Sequence, residues 1–186
     1  MVNGDAPARS QISFSAPRFY IMSEALSLLV IGYGNSLRRD DGAGLLLAER
    51  LAVCWREAGL AVQLIQTHQL MPEMAEEIAA ESVTHTIFVD TRVAENLEAG
   101  VQIVLISSAA GEQSLGHQMD PSMLLAYAEK LYGRAPACHV VTIPGFDFGF
   151  GDELSAAVQR TLDSSAEIAQ RALALLSISQ TDEMTG

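Results

Sequence analysis

The chain alternates short apolar runs with amphipathic stretches. Residues 26–31 are almost continuously apolar and end at Gly32-Tyr33-Gly34, the pattern of a buried parallel strand covered on both faces. Residues 41–59 then follow a helical period. Leu45, Ala48, Leu51, Ala52 and Trp55 recur mostly at intervals of three and four, and Gly59 marks the stop. Short strands are predicted over 62–65, 86–90, 101–106 and 139–143. A short helix is predicted over 72–80, and another from Asp120-Pro121 to about Tyr132. That helix has an N-cap Asp, Pro at its first position and Gly133 as its stop. A Gly/Phe loop at 144–151 precedes one long predicted helix over 153–177.

The predicted order is β-α-β-α-β-β-α-β-α. Strands alternating with helices give an α/β three-layer sandwich, with a mostly parallel, twisted five-stranded sheet and helices on both faces. The direct step from the third strand to the fourth predicts one antiparallel edge strand. Loops after the parallel strands gather on one edge of the sheet, where ligands bind in such folds. Residues 25–178 are expected to form a single domain. Residues 1–24 are expected to be a disordered extension and 179–186 a flexible tail.

Composition narrows the function classes. Lys and Arg total 11 against 23 Asp plus Glu, a net charge of −12. Nucleic-acid binding needs clustered cations that displace counterions, so the chain is read as binding no nucleic acid. The same acidity argues against anionic membranes, and no apolar run reaches the roughly 20 residues of a membrane span. Residues 1–24 lack the basic-then-apolar pattern of a secretory signal. Two cysteines, Cys54 and Cys138, make a disulfide framework improbable. The expected compartment is the cytoplasm.

The candidate chemistry clusters on the ligand edge. The first loop, Gly32 to Gly44, begins like a dinucleotide fingerprint, but its third glycine position is Leu37 and the helix starts too late for a pyrophosphate turn. It delivers two adjacent carboxylates, Asp40 and Asp41, to a helix start. One of them can cap the helix, leaving the second for other work. Two further helix entries share the pattern His-Gln-apolar-x-Pro-x-Met, beginning at His68 and His117. The positive end of a helix disfavours imidazolium, and the neutral ring is the metal-binding form. Each His is either a hydrogen-bonded loop residue or a ligand. Asp90, at the end of the third strand, is either a cap or a ligand. Imidazole and carboxylate together suit Zn, Ni or Fe. His85 and His139 stand at strand starts on the opposite edge and read as structural, as do both thiols. The 144–151 loop reads as a hydrophobic lid over the last helix in preference to a substrate surface.

The segment Val30-Ile-Gly-Tyr-Gly-Asn-Ser-Leu-Arg-Arg-Asp-Asp-Gly-Ala-Gly44 resembles the opening signature of the hydrogenase maturation proteases. These endopeptidases trim the C-terminus of the large subunit of nickel–iron hydrogenases. The likeness extends through Glu73, Phe88-Val-Asp90 and His117-Gln-Met119 to Ile143-Pro144 and the closing helix. The segment His68-Gln-Leu-Met-Pro-Glu73 resembles the subgroup serving soluble, NAD-linked hydrogenases. The resemblance implies an α/β sandwich and a site that recognises nickel already placed in the precursor. Carried over singly, the family's metal-site residues match Asp41, Asp90 and His117, with Asp41 also the candidate catalytic residue. His68 is a possible fourth ligand or a substrate contact.

The function implied is an endopeptidase that removes the C-terminal extension of the large-subunit precursor after nickel insertion. Nickel would arrive with the substrate and be held weakly or not at all by the free protein, which is expected to be a monomer. A non-catalytic nickel-binding chaperone would use the same ligands. A nucleotide-binding enzyme is supported only by Gly32 and Gly34.

Overall fold

The computed structural model describes residues 26–96, 98–108 and 119–183, with side chains described as far as 176. The expected extension over 1–24 lies outside the described residues.

The strands are β1 (Ser27–Tyr33), β2 (Ala61–Thr67), β3 (His85–Val93), β4 (Gln102–Ile106) and β5 (Ala137–Gly145). The helices are α1 (Ala43–Glu57), α2 (Met74–Ala79), α3 (Pro121–Tyr132), α4 (Ala156–Asp163) and α5 (Ser165–Glu183). Among the described residues the strands form one sheet in the order β2-β1-β3-β5-β4. Neighbours β2, β1, β3 and β5 run parallel, and β4 pairs antiparallel with β5 at one edge. The mostly parallel α/β sandwich and its antiparallel edge strand are therefore as the sequence predicts. Among the described residues no helix is long and apolar enough to cross a membrane.

Each sheet face buries its own core. On one face Leu28, Val30, Ile87, Val89, Val141 and Ile143 meet α1, α4 and α5; on the other, Leu29, Ile31, Phe88 and Cys138 meet α2 and α3. Alternation of side chains along each strand sorts the apolar run between these two layers. Full burial of one such Leu or Phe stabilises by roughly 1.5–3 kcal/mol, so the sheet is a stiff base for its loops.

Three local readings change. The buried face of α1 uses Leu47, Leu51 and Trp55, at a spacing of four, while Leu45 is only half-buried. Trp55 donates its Nε1–H to the Ala169 carbonyl of α5 at 3.1 Å, which fixes that register. The last helix is two helices meeting at Ser164, and α4 starts at Ser155, whose hydroxyl accepts the Val158 N–H. Strand β3 continues past Asp90 to Val93, because β5 supplies partners as far as Gly145.

The caps of α3 are as expected. Asp120 Oδ1 accepts the Met123 N–H at 2.9 Å, and Gly133 closes the helix at φ 74°. A side chain at that left-handed position would be strained.

Candidate active site

The loop after β1 is closed by contacts that leave little room. Gly34 sits at φ +144°, and a Cβ there would lie 2.1 Å from the Asp41 carbonyl oxygen. Only glycine fits that approach. Asp41 Oδ2 accepts the Asn35 N–H at 3.1 Å, so its carboxylate ties the two ends of the loop together. Gly44 is equally constrained: a Cβ there would meet Asp90 Cα and the Tyr33 carbonyl oxygen, each at 2.9 Å. The start of α1 is thereby pressed against the ends of β1 and β3. Thr91 completes the junction. Its hydroxyl accepts the Gly44 N–H at 2.9 Å and lies 3.5 Å from the Asp41 carbonyl, to which it donates.

Asp90 faces the same junction. Its Oδ1 accepts the Thr91 N–H at 2.7 Å, and the Tyr33 hydroxyl hydrogen-bonds its carboxylate. Burial raises the Asp90 carboxyl above the usual carboxylate range. The Thr91 and Tyr33 bonds pull it back, and the charge of Asp41 adds to the rise. Tyr33 is shifted upward, first by burial and then by the Asp90 charge, so its phenol is a proton donor throughout the physiological range. Two carboxylates that feel each other in a partly dry setting are the kind of pair that serves acid–base or metal chemistry. Tyr33 and Thr91 escape the sequence reading. Nothing in a strand's last residues announces a side chain turned toward a neighbouring carboxylate.

Asp40 does not cap α1. The residue before that helix is Gly42, with no side-chain cap bond. Asp40 is fully buried, and its carboxylate accepts three backbone N–H groups from the far side of the sequence: Phe146 at 2.8 Å and Asp147 at 2.9 Å on Oδ2, and Ser155 at 2.7 Å on Oδ1. Its own N–H donates to the Asp147 carbonyl. Helix capping is a local signal, whereas these partners are more than a hundred residues away in sequence. The Gly/Phe loop is accordingly no simple lid over the last helix. Phe146 packs into the core shared with α4, but the rest of the loop is stitched to the first loop. Arg39 N–H donates to the Gly151 carbonyl, Gly151 N–H donates to that of Leu37, and the Arg38 guanidinium donates to that of Phe148. Arg39, held at φ 47°, pairs with Asp147. The Gly149 N–H and the Arg39 guanidinium hold the Asp147 carboxyl below the usual range.

His68 follows β2 on the same edge. It is exposed, with Nδ1 3.4 Å from the Gly34 carbonyl oxygen, a weak bond at that length. It lines a cleft of about 540 Å³ together with Gly34, Asn35 and Leu37. His117 lies outside the described residues. Among the described residues no three His, Cys, Asp or Glu side chains are grouped to hold a metal ion. Asp41 and Asp90 are thus the two predicted site residues that the structure places within electrostatic reach of each other. His85 and His139 are buried on the sheet's core, and burial lowers the His139 ring. Burial likewise pushes the Cys138 thiol up, the state of an inert structural thiol.

No protein-family model matches the sequence, and no curated protein matches it. Solved structures do. The chain is similar to the NiFe hydrogenase maturation protease HycI from Thermococcus kodakarensis KOD1, at 21% identity and TM-score 0.58, over 81% of this chain and 94% of that one. It is similar to the hydrogenase maturating endopeptidase HybD from E. coli, at 20% identity and TM-score 0.58, over 83% and 94%. It is also similar to the maturation protease HybD from Thermococcus kodakarensis, at 18% identity and TM-score 0.51, over 78% and 98%. The chain therefore has the fold of the hydrogenase maturation proteases, over most of its own length and nearly all of theirs.

Proposed function

We propose that this chain is a cytoplasmic endopeptidase that removes the C-terminal extension from the large-subunit precursor of a nickel–iron hydrogenase. The observation that carries the reading is the Asp41–Asp90 pair at the loop edge of the sheet, on a fold shared with proteins named as hydrogenase maturation protease and endopeptidase. The resemblance of the His68-Gln-Leu-Met-Pro-Glu73 segment favours a soluble, NAD-linked hydrogenase as the source of the precursor.

The reaction adds water across one amide bond. The carbonyl carbon gains the hydroxyl and the departing nitrogen gains a proton. We assign the site residues to a nickel ion carried in by the precursor. Each carboxylate commits one oxygen to a backbone N–H, Asp41 to Asn35 and Asp90 to Thr91. Among the described residues Asp41 Oδ1 carries no hydrogen bond and would be open to an incoming cation, and the Tyr33 bond fixes how the Asp90 carboxylate is turned. His117 and His68 supply the imidazoles of a mixed nitrogen–oxygen set that suits nickel. Substrate nickel so held would register the scissile bond beside Asp41 and polarise its carbonyl. Asp41 is the group assigned to accept the proton of water.

The test is incubation of the purified chain with nickel-loaded and nickel-free precursor, read by intact mass. Loss of one C-terminal peptide from the loaded form alone supports the reading. Binding of loaded precursor without any mass change would make the chain a nickel-binding chaperone. Stoichiometric, chelator-resistant zinc in the purified chain would point to a conventional zinc peptidase.

A further inference from the structure

The first loop and the Gly/Phe loop, stitched together, hold two large apolar side chains out in water. Phe150 is 90% exposed and Leu37 is 69% exposed. They stand on neighbouring backbone segments, since Gly151 N–H donates to the Leu37 carbonyl at 3.0 Å and Arg38 bridges to Gly151. Such exposure is ordinary on a floppy loop. Here the backbone is held from below by the three bonds to buried Asp40 and from the side by Arg38 and Arg39. It also carries a non-glycine residue at positive φ, Arg39. Strain of that kind persists where surrounding structure over-determines it and clusters at functional sites.

We infer that Phe150 and Leu37 form a rigid apolar docking knob for the body of the precursor subunit whose C-terminus enters the site. This rests on the proposed protease reading and names how that substrate is gripped. Three observations select the occupant. The knob is continuous with the site: Leu37 also walls the His68 cleft, and Asn35 in that cleft is bonded to Asp41. A protein docked on the knob can therefore lay an extended segment past both carboxylates. A second copy of this chain is disfavoured, because each copy carries a net charge of −12 and like-charged surfaces repel. A small ligand is disfavoured because Phe150, almost wholly in water, offers an open ring and no enclosing wall, a shape that suits a broad protein surface. The backbone beneath Phe150 is already fixed, and a phenyl ring has only two side-chain torsions to lose, so ordering it against a partner costs little.

The experiment measures binding and cleavage of purified nickel-loaded precursor by wild type, Phe150→Ala, Leu37→Ala/Phe150→Ala and Phe150→Trp. The expected result is a Kd and a KM raised about tenfold or more in the double variant. Tenfold corresponds to about 1.4 kcal/mol. Cleavage at saturating precursor should persist, and Phe150→Trp should bind close to wild type. Because both side chains are exposed, unchanged thermal melts should accompany the loss. Equal Kd and KM in wild type and double variant would overturn the inference while leaving the protease reading intact. Docking that depends on Phe150 without cleavage would overturn the protease reading and keep the knob. Sedimentation showing a wild-type dimer that Phe150→Ala dissociates would reassign the surface to self-association.

Discussion

Asp40 Oδ1 accepts the backbone N–H of Ser155 at 2.7 Å, joining the start of the first helix to the start of the fourth. With Phe146 and Asp147 on the other oxygen, the carboxylate organises the loop that faces the site. Asp40→Asn should therefore destabilise the fold. One carboxylate oxygen becomes an NH2 group that confronts backbone N–H donors in a buried position. Hydrogen bonds to a charged acceptor contribute about 1.5–3 kcal/mol each, and the loss should fall near 2–3 kcal/mol. Urea denaturation of both proteins measures it. Equal midpoints would mean that the loop is held by its other contacts.

Asp41→Asn should separate chemistry from folding. An Asn oxygen can still accept the Asn35 N–H, so the loop closure survives. The neutral amide cannot act as a base and is a poor ligand for a divalent metal. Precursor cleavage should fall by at least ~10²-fold, the lower end for loss of a general base, with a thermal midpoint close to wild type. A folded, fully active variant would remove Asp41 from the site.

Asp90→Asn should make the fold more stable near neutral pH while removing activity. Burial and the charge of Asp41 raise the folded-state carboxyl of Asp90, so ionising it costs more in the folded chain than in the unfolded one. A raised folded value means that the residue's favourable contribution is present below its unfolded value, 3.8, and is lost as pH rises through the folded value. The amide never ionises. Its stabilising advantage should appear at pH 7 and vanish as pH falls below the unfolded value. Melts of both proteins across pH 3 to 8 test the sign, and an advantage confined to acid pH would refute it.

Tyr33→Phe removes one of the two groups that pull the Asp90 carboxyl back down. Asp90 should then hold its proton to higher pH, and the acid limb of the cleavage profile should move upward. The variant keeps the ring packed against the core under α2 and α3, so stability should change little. An unmoved acid limb would mean that Asp90 ionisation does not limit cleavage.

Much of this was legible before any coordinates. The apolar runs give the strands, and Asp120-Pro121 and Gly133 mark a helix at both ends through purely local chemistry. Asp41 and Asp90 were readable because strand ends and helix starts converge on one edge in a parallel sheet. The role of Asp40 was not. A carboxylate just ahead of a predicted helix looks like a cap, and only tertiary folding brings Phe146 and Ser155 to it. The exposed Phe150 was hidden for a related reason. Glycines and phenylalanines in alternation describe both a buried lid and a braced outward loop, and the partner segment decides which forms. Leu45 and Leu47 are likewise equal in composition, and the docking of Trp55 on Ala169 chooses between them.

Gly44→Ala tests whether the carboxylate pair depends on backbone contact. A methyl group there would meet Asp90 Cα and the Tyr33 carbonyl oxygen at 2.9 Å. Both are main-chain atoms of central strands and cannot rotate away as a flexible side chain would. The start of α1 must shift outward instead, carrying Asp41 with it and stretching the Thr91 hydroxyl from the Gly44 N–H. Alanine favours helix over glycine by up to about 1 kcal/mol, so propensity alone predicts a gain. Overpacking against fixed backbone costs about 1–3 kcal/mol and should outweigh it. The expected variant is less stable by about 1–2 kcal/mol and impaired in cleavage well beyond the fraction unfolded, because displacements of about 1 Å can cost 10²-fold in rate. Urea denaturation and single-turnover cleavage, measured on the same preparation, separate the two effects. A variant more stable than wild type and equally active would show that α1 can move away from β3 freely, and that the spacing of Asp41 and Asp90 is not set by this contact.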